Sequence, residues 1–180
     1  MEIVKDREAL QNIAKLRGIY QIMKEKFMIK VLFICHGNIC RSTMAQFVME
    51  NLVKKAGLSD RYQIESAATS FEEIGNGPHR GTVMKMREMG IPMREHRAIH
   101  MEKSDYDKYD YIIGMDKWNY QNILRIVGGD PEGKVSLLLD YTDRKGQQIA
   151  DPWYTGNFDE TYRDVDEGCR ALLQFLEENR

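Results

Sequence analysis

The sequence predicts an α/β fold in which a parallel sheet carries helices on both faces. Two observations lead to this prediction. From residue 29 onward, short apolar segments alternate with segments of helical periodicity, and two of the apolar segments are nearly continuous. Such alternation is typical of parallel strands joined by crossover helices. A nearly continuous apolar run indicates a strand that is covered on both faces.

Four strands and four helices follow from this alternation. The strands are predicted at 29–34, 62–66, 109–114 and 135–139, and the helices at 42–55, 78–89, 117–127 and 158–178. Gly57, Gly90 and Gly128 follow the first three helices, where a glycine commonly ends a helix. Pro78 lies near the predicted first turn of the second helix, a position that tolerates proline.

Residues 1–27 differ from the rest of the chain. They are rich in charges of both signs and carry an imperfect helical stripe of apolar residues at Leu10, Ile13, Ala14, Leu16, Ile19, Tyr20 and Met23. We predict an N-terminal helical extension over 1–27 with no catalytic role, followed by one domain over 28–180.

Composition excludes several classes of function. The chain has 180 residues and a net charge of -2, so neither a broad nucleic-acid surface nor a membrane surface is indicated. No apolar run has the length of a transmembrane helix, and the first residues lack the hydrophobic core of a signal peptide. Three cysteines argue against a disulfide framework. We predict a cytoplasmic protein.

The segment CHGNICRS at 35–42 lies between the first predicted strand and the first predicted helix. Ligands of doubly wound sheets bind at the carboxyl ends of strands, and the free N–H groups of a helix N-terminus attract anions. Gly37 lets the backbone approach a ligand, and Asn38 tolerates a left-handed conformation and can hydrogen-bond the loop to itself. The segment is therefore a candidate oxyanion site.

Three side chains in this segment supply the parts of a phosphoryl-transfer reaction. A cysteine near a helix N-terminus and a cation becomes a nucleophilic thiolate, which makes Cys35 the predicted nucleophile. The planar guanidinium of Arg41 can hold two oxygens of a tetrahedral oxyanion. The hydroxyl of Ser42 can donate a hydrogen bond to the sulfur.

The chain resembles the low-molecular-weight protein tyrosine phosphatase family. The resemblance covers 28–180 and includes, besides CHGNICRS, the segments ESAATS at 65–70, GNGPHRG at 75–81, MDKWN at 115–119 and DPWY at 151–154. It implies a three-layer, doubly wound fold with a four-stranded parallel sheet, like flavodoxin and phosphotyrosine phosphatase I. It also implies hydrolysis of phosphotyrosine and small aryl phosphates through a phosphocysteine, with neither metal nor cofactor.

The DPWY segment supplies the proton donor that such a reaction needs. Asp151 is predicted to protonate the leaving group and then to activate the water that hydrolyses the phosphocysteine. Pro152 stiffens the segment. Trp153 and Tyr154 follow as an aromatic wall suited to a phenyl ring, and the resemblance implies that they select the substrate.

Further residues are assigned to the site by the resemblance. His36, Gly37, Asn38, Ile39, Cys40 and Ser42 form the phosphate-binding loop, and Ser66 and His96 support it. The resemblance implies a reversible disulfide between Cys40 and Cys35, which would protect a reactive thiolate from irreversible oxidation. Family members usually carry tyrosine or tryptophan at the pocket rim where this chain has Glu72. Glu72 is therefore predicted to affect substrate preference.

Two related classes of enzyme remain as alternatives. Arsenate reductases share the fold and a similar loop, but they use further cysteines near the Asp-Pro segment. This chain has no cysteine between Cys40 and Cys169. Protein-arginine phosphatases resemble the loop but carry threonine at the position of Ile39. The isoleucine favours phosphotyrosine.

Two further alternatives are a non-catalytic binding module and a phosphocysteine carrier of a sugar-transport system. A binding module is expected to lack Cys35, Arg41 or Asp151, and all three are present. A carrier also places a cysteine at the end of a strand but does not need the arginine. The expected partners are phosphotyrosine proteins or peptides and phosphate or sulfate oxyanions, without nucleic acid or membrane. We expect a monomer or a weak homodimer.

Overall fold

A four-stranded parallel sheet forms the centre of the protein. A computed structural model describes residues 13–19 and 27–179. The strands are β1 (Ile29–Cys35), β2 (Tyr62–Ala68), β3 (Tyr111–Gly114) and β4 (Val135–Leu137), in the order β2-β1-β3-β4. All three pairs are parallel. The predicted doubly wound α/β fold with a four-stranded sheet is confirmed.

Helices connect the strands. They are α1 (Arg41–Lys55), α2 (Arg80–Glu88), α3 (Asp105–Lys108), α4 (Lys117–Val127), α5 (Pro152–Thr155) and α6 (Phe158–Glu178). Two short 3₁₀ helices lie at Ser59–Arg61 and Leu138–Tyr141. Within the described part of the chain, no helix combines the length and apolar character needed for a membrane crossing.

The central strand β1 explains why its sequence is apolar without alternation. Val31 and Phe33 face a core that includes residues of α1 and α6. Leu32 and Ile34 face a second core that includes residues of α4. All four side chains are almost completely buried. A strand covered on both faces needs apolar residues at every position.

Some helix and strand boundaries in the structure differ from those predicted. The fourth strand ends at Leu137 and not at residue 139, because the Asp140 carboxylate accepts the Leu137 N–H (3.0 Å) and the chain turns into a 3₁₀ helix. The second helix begins at Arg80 and not at residue 78, since His79 caps it by accepting the Gly81 N–H (3.0 Å). The short helices α3 and α5 were not predicted.

Part of the predicted N-terminal extension is described. Residues 13–19 are helical and exposed throughout. The remainder of the extension, 1–12 and 20–26, lies outside the described residues. The division into an extension over 1–27 and a domain over 28–180 therefore stays a prediction.

The contact between α6 and the 3₁₀ helix after β4 requires a glycine. A Cβ added at Gly168 would lie 2.5 Å from Leu138 Cγ, and Leu138 is fully buried. We expect Gly168→Ala to lower the free energy of unfolding by about 1–3 kcal/mol through overpacking. Urea denaturation monitored by circular dichroism measures the change.

Gly77→Ala is the matched control, because a Cβ at Gly77 would meet no atom within 4 Å. It should change the free energy of unfolding by less than about 0.5 kcal/mol. At Gly168, which lies within α6, alanine would normally be the better helix residue by about 1 kcal/mol. A loss of stability there must therefore come from the tight contact with Leu138. A Gly168→Ala protein as stable as the wild type would contradict the tight contact.

Candidate active site

The loop between β1 and α1 forms one wall of a cavity at the carboxyl end of the sheet. Cys35 is the last residue of β1, and Arg41 is the first residue of α1. The cavity has a volume of about 90 Å³. It is lined by Cys35, His36, Gly37, Ile39, Cys40, Glu72, Glu73, Asp151, Trp153 and Tyr154. The fold therefore joins the two sequence segments 35–42 and 151–154 at one cavity.

Asn38 fixes the shape of the loop. Its φ of 57° is left-handed, and no other described residue apart from glycine has a positive φ. Its backbone N–H donates to Cys35 Sγ (3.3 Å), and its side-chain oxygen accepts the Ile99 N–H (3.2 Å). The loop is thus curled so that a backbone donor points at the sulfur. Gly37 allows close packing here, since a Cβ at this position would lie 3.1 Å from Glu73 Cγ.

A chain of buried hydrogen bonds orients the hydroxyl of Ser42. The amide nitrogen of Asn38 donates to Ser42 Oγ and to Ser66 Oγ, both at 2.9 Å. Ser66 in turn donates to Gln46 Oε1 (2.5 Å). Because Ser42 Oγ already accepts from the amide, its own proton is free to donate to Cys35 Sγ at 3.1 Å. The sulfur therefore has two hydrogen-bond donors directed at it.

The carbonyl of Asn38 is held from the other side. Thr43 Oγ1 donates to it at 2.8 Å, and His96 Nε2 lies 3.1 Å from it. Burial lowers the pKa of His96, with a smaller lowering contribution from Arg94, although the bond to Asn38 opposes this. A neutral imidazole then donates from Nε2 to the carbonyl oxygen.

Arg41 lies in a nearly closed environment between two carboxylates. Nη1 donates to Asp116 Oδ2 (2.5 Å) and to the Ile149 carbonyl (3.1 Å), and Nη2 donates to Asp151 Oδ2 (2.7 Å). Burial opposes the charge, but the neighbouring Cys35 and the two aspartates raise the pKa of the guanidinium. Its buried Nε has no hydrogen-bond partner, so it remains available to an oxyanion.

Asp151 caps the short helix α5. Its Oδ1 accepts the Trp153 N–H (3.1 Å), while its Oδ2 accepts from Arg41. Pro152 occupies the first turn, where its missing N–H costs nothing. The DPWY segment is therefore one turn of helix that directs a carboxylate into the cavity, and not an irregular loop.

The mouth of the cavity carries aromatic and acidic side chains. Trp153 is 57% exposed and Tyr154 is 84% exposed, so both offer ring surface to a ligand. Glu72 Oε2 lies 3.1 Å from His36 Nε2. The structure thus places all four of these predicted residues at the lining of one cavity.

The three cysteines differ in environment. Burial, together with the charges of Cys35 and Asp151, raises the pKa of Cys40 to about 12. Cys169 is completely buried, and burial raises the pKa of its thiol well above the ordinary value. All three are free thiols. The predicted disulfide between Cys35 and Cys40 stays a prediction.

Sequence reasoning did not find three residues that hold the site together. Asp116 is the second residue after β3, and the shared edge of parallel strands could have placed it beside Arg41. Gln46 lies one helical turn after Ser42 on the same face of α1, a spacing that the sequence shows. No sequence pattern indicated the role of Thr43, because its hydrogen-bond partner is the backbone carbonyl of Asn38.

The comparisons with known proteins agree with this geometry. Residues 30–180 match the family model described as low molecular weight phosphotyrosine protein phosphatase. The chain is 38% identical over 154 residues to the low molecular weight protein-tyrosine-phosphatase YfkJ of Bacillus subtilis, covering 85% of this chain and 99% of that protein. A human low molecular weight phosphotyrosine protein phosphatase is 37% identical over 156 residues, covering 84% of this chain and 98% of its own.

Solved structures show the same relationship. The crystal structure of YfkJ has a TM-score of 0.82 at 37% identity, covering 85% of this chain and 97% of that one. A Drosophila arginine phosphatase has a TM-score of 0.76 at 28% identity, covering 84% and 100%. The fold and the site define a cysteine-dependent phosphatase. The chain belongs to the low molecular weight phosphotyrosine protein phosphatase family.

The contrast between the cysteines predicts selective alkylation. At pH 7 we expect iodoacetamide to modify one thiol rapidly, because Cys35 Sγ accepts two hydrogen bonds, whereas burial raises the pKa of Cys40 to about 12 and that of Cys169 well above its ordinary value. Mass spectrometry of the intact protein measures the number of modified thiols. Cys35→Ser should abolish the rapid reaction, whereas Cys40→Ser should retain it. Equal rates in Cys35→Ser and wild type would contradict this assignment.

The environment of His96 predicts a pH dependence of stability. Its pKa in the folded protein lies below the ordinary 6.5, so the unfolded chain binds the proton more readily. Stability is therefore lost as the pH falls below about 6.5. We expect the free energy of unfolding to decrease less between pH 7.5 and 5.5 in His96→Gln than in the wild type. Urea titrations at the two pH values test this, and equal decreases would show that His96 does not contribute.

Proposed function

We propose that the protein hydrolyses phosphotyrosine and small aryl phosphates through a phosphocysteine on Cys35, with Asp151 as general acid and base. One observation carries the proposal. The Sγ of Cys35 accepts two hydrogen bonds at the floor of a cavity that Asp151 also lines, and Arg41 lies buried beside both with a free Nε. Nucleophile, anion clamp and acid thus meet at one place.

In the first step, the thiolate of Cys35 attacks phosphorus and the bond from phosphorus to the tyrosine oxygen breaks. The loop N–H groups and Arg41 bind the oxygens of the transferred group. When an oxygen of the bound phosphate accepts the hydrogen bond from Arg41 Nη2, Asp151 Oδ2 is released from its ion pair with Arg41. The dianion then favours the protonated carboxyl, which gives its proton to the leaving phenolate.

In the second step, water attacks the phosphorus of the phosphocysteine. Asp151, now a carboxylate, takes a proton from this water, and the bond from sulfur to phosphorus breaks. Inorganic phosphate leaves, and the sulfur returns as a thiolate. The hydrogen bonds from Ser42 and Asn38 stabilise this leaving group in the same way as they stabilise the nucleophile.

The aromatic pair and Ile39 favour phosphotyrosine over phosphoarginine. Trp153 and Tyr154 provide a wall on which a phenyl ring can stack. Ile39 lines the cavity and is 7% exposed, so it offers methyl groups where the resemblance gives arginine phosphatases a threonine. An arsenate relay would need a third accessible cysteine, and Cys169 is completely buried.

The proposal extends to the organisation of the chain. We assign the phosphatase domain to 28–180 and a helical extension to 1–27, supported by a family match that spans 30–180 and by the exposure of residues 13–19. A cytoplasmic location would keep the reactive Cys35 and its neighbour Cys40 reduced. We propose a monomer or weak homodimer, whose state sedimentation measures directly.

The test compares hydrolysis of phosphotyrosine and phosphoarginine peptides without added metal. Cys35→Ser should be inactive, and Asp151→Ala should lower kcat for phosphotyrosine by about 10²- to 10⁴-fold because the leaving group is no longer protonated. The loss should be smaller for p-nitrophenyl phosphate, whose leaving group needs less protonation. Release of inorganic phosphate measures all rates.

Asp107→Ala is the matched control, since Asp107 is an exposed aspartate that does not line the cavity. It lies on α3, before the N-terminal end of β3, whereas the cavity is at the carboxyl end of the sheet. It should keep wild-type rates. A strong preference for phosphoarginine would preserve the mechanism but overturn the substrate. Hydrolysis of neither peptide by the folded, reduced protein would overturn the proposed function.

A further inference from the structure

Two consecutive carboxylates line the cavity that also holds the aromatic pair. The Glu72 side chain is 73% exposed, and Glu73 accepts a hydrogen bond from Asn76 Nδ2 (2.7 Å). Among the described residues that line the cavity, none is lysine or arginine. The mouth therefore presents negative charge to whatever surrounds the phosphate of a bound substrate.

These carboxylates are held at a fixed position relative to the phosphate-binding loop. The N–H groups of Thr69 and Ser70 donate to the carbonyls of Cys35 and His36, both at 3.0 Å. Ser70 Oγ then accepts the Glu72 N–H at 3.0 Å. The segment that carries the acids is thus bonded directly to the loop that follows Cys35, and both acids line the cavity.

Negative charge at the mouth does not serve the phosphate itself. The phosphate is a dianion, and the cation available to it is Arg41, which is 2% exposed and has an unpartnered Nε. Carboxylates at the mouth repel an approaching dianion. Such a cost is offset when the substrate brings its own positive charge to the same place.

An aromatic ring next to Glu72 suits the stem of a basic side chain. The Phe71 ring is stacked on His100 with centroids 3.8 Å apart and planes inclined by 5°, yet Phe71 is 75% exposed. The stack orients the ring and leaves much of its surface to solvent. Arginine and lysine favour such surfaces because their stems are apolar and their charges are attracted to aromatic faces.

We propose that the protein prefers phosphotyrosine sequences with an arginine or lysine close to the phosphotyrosine, and that Glu72 and Glu73 select this residue. The inference rests on the proposed function and names its substrate class. Glu72 is the main determinant, since its carboxylate is largely exposed even though Oε2 contacts His36, whereas Glu73 is partly buried and bonded to Asn76.

The test uses phosphotyrosine peptides that are identical except for one residue, which is arginine, alanine or glutamate. This residue is placed in turn at each of the two positions before and after the phosphotyrosine. For the best position we expect kcat/KM to be about two- to fivefold higher with arginine than with alanine, and lower again with glutamate. The preference should shrink between 50 and about 500 mM salt because of screening.

Variants identify the residue responsible. The readout is the ratio of kcat/KM for the arginine and glutamate peptides within each variant, so a general loss of activity cancels. Glu72→Gln should lower this ratio towards one, and Glu72→Lys should invert it. Glu132→Gln is the matched control, since Glu132 is exposed just before the N-terminal end of β4 and its loss changes the net charge equally. Its ratio should remain that of the wild type.

The possible outcomes separate the two proposals. If the wild type hydrolyses p-nitrophenyl phosphate and all peptides, but its ratio of kcat/KM for the arginine and glutamate peptides is near one, the inference alone is overturned. A wild-type ratio that Glu72→Gln and Glu72→Lys leave unchanged also overturns it. Inactivity on every substrate overturns the proposed function, and the inference with it.

Discussion

The left-handed turn at Asn38 is the constraint on which the site depends. This residue is fully buried, and its backbone N–H donates to Cys35 Sγ. Its side-chain nitrogen donates to Ser42 and Ser66, and its side-chain oxygen accepts the Ile99 N–H. A left-handed conformation is unfavourable for most residues and is tolerated by asparagine. The hydrogen bonds compensate for this strain and connect the nucleophile to β2 and to the segment around Ile99.

Electrostatic balance around Arg41 is the second organising feature. A buried guanidinium needs partners, and Asp116, Asp151 and the Ile149 carbonyl supply them. An oxyanion can replace Asp151 without leaving the charge unpaired, because Asp116 remains. In the proposed mechanism, an anion that binds Arg41 would therefore release the Asp151 carboxylate.

Much of the site could be predicted because it is local in sequence. The segment from Cys35 to Ser42 carries the predicted nucleophile, anion clamp and hydrogen-bond donor within eight residues, and its position after an apolar strand indicates its place in the fold. The strands and long helices were predicted for the same reason, since their periodicity is local. Asp116 and Gln46 were missed, because their roles depend on contacts with residues distant in sequence or on an unrecognised helical face.

The sequence by itself determined the parallel α/β fold, the loop chemistry and the candidate acid, since each depends on residue types at short spacing. The tertiary structure decided that Asp151 is paired with Arg41 and caps a helical turn. It also decided that burial raises the pKa of Cys40, while the equally buried Cys35 accepts two hydrogen bonds. The physical reason is that burial and long-range hydrogen bonds depend on how separate segments pack, and this packing sets the charge and reactivity of each side chain.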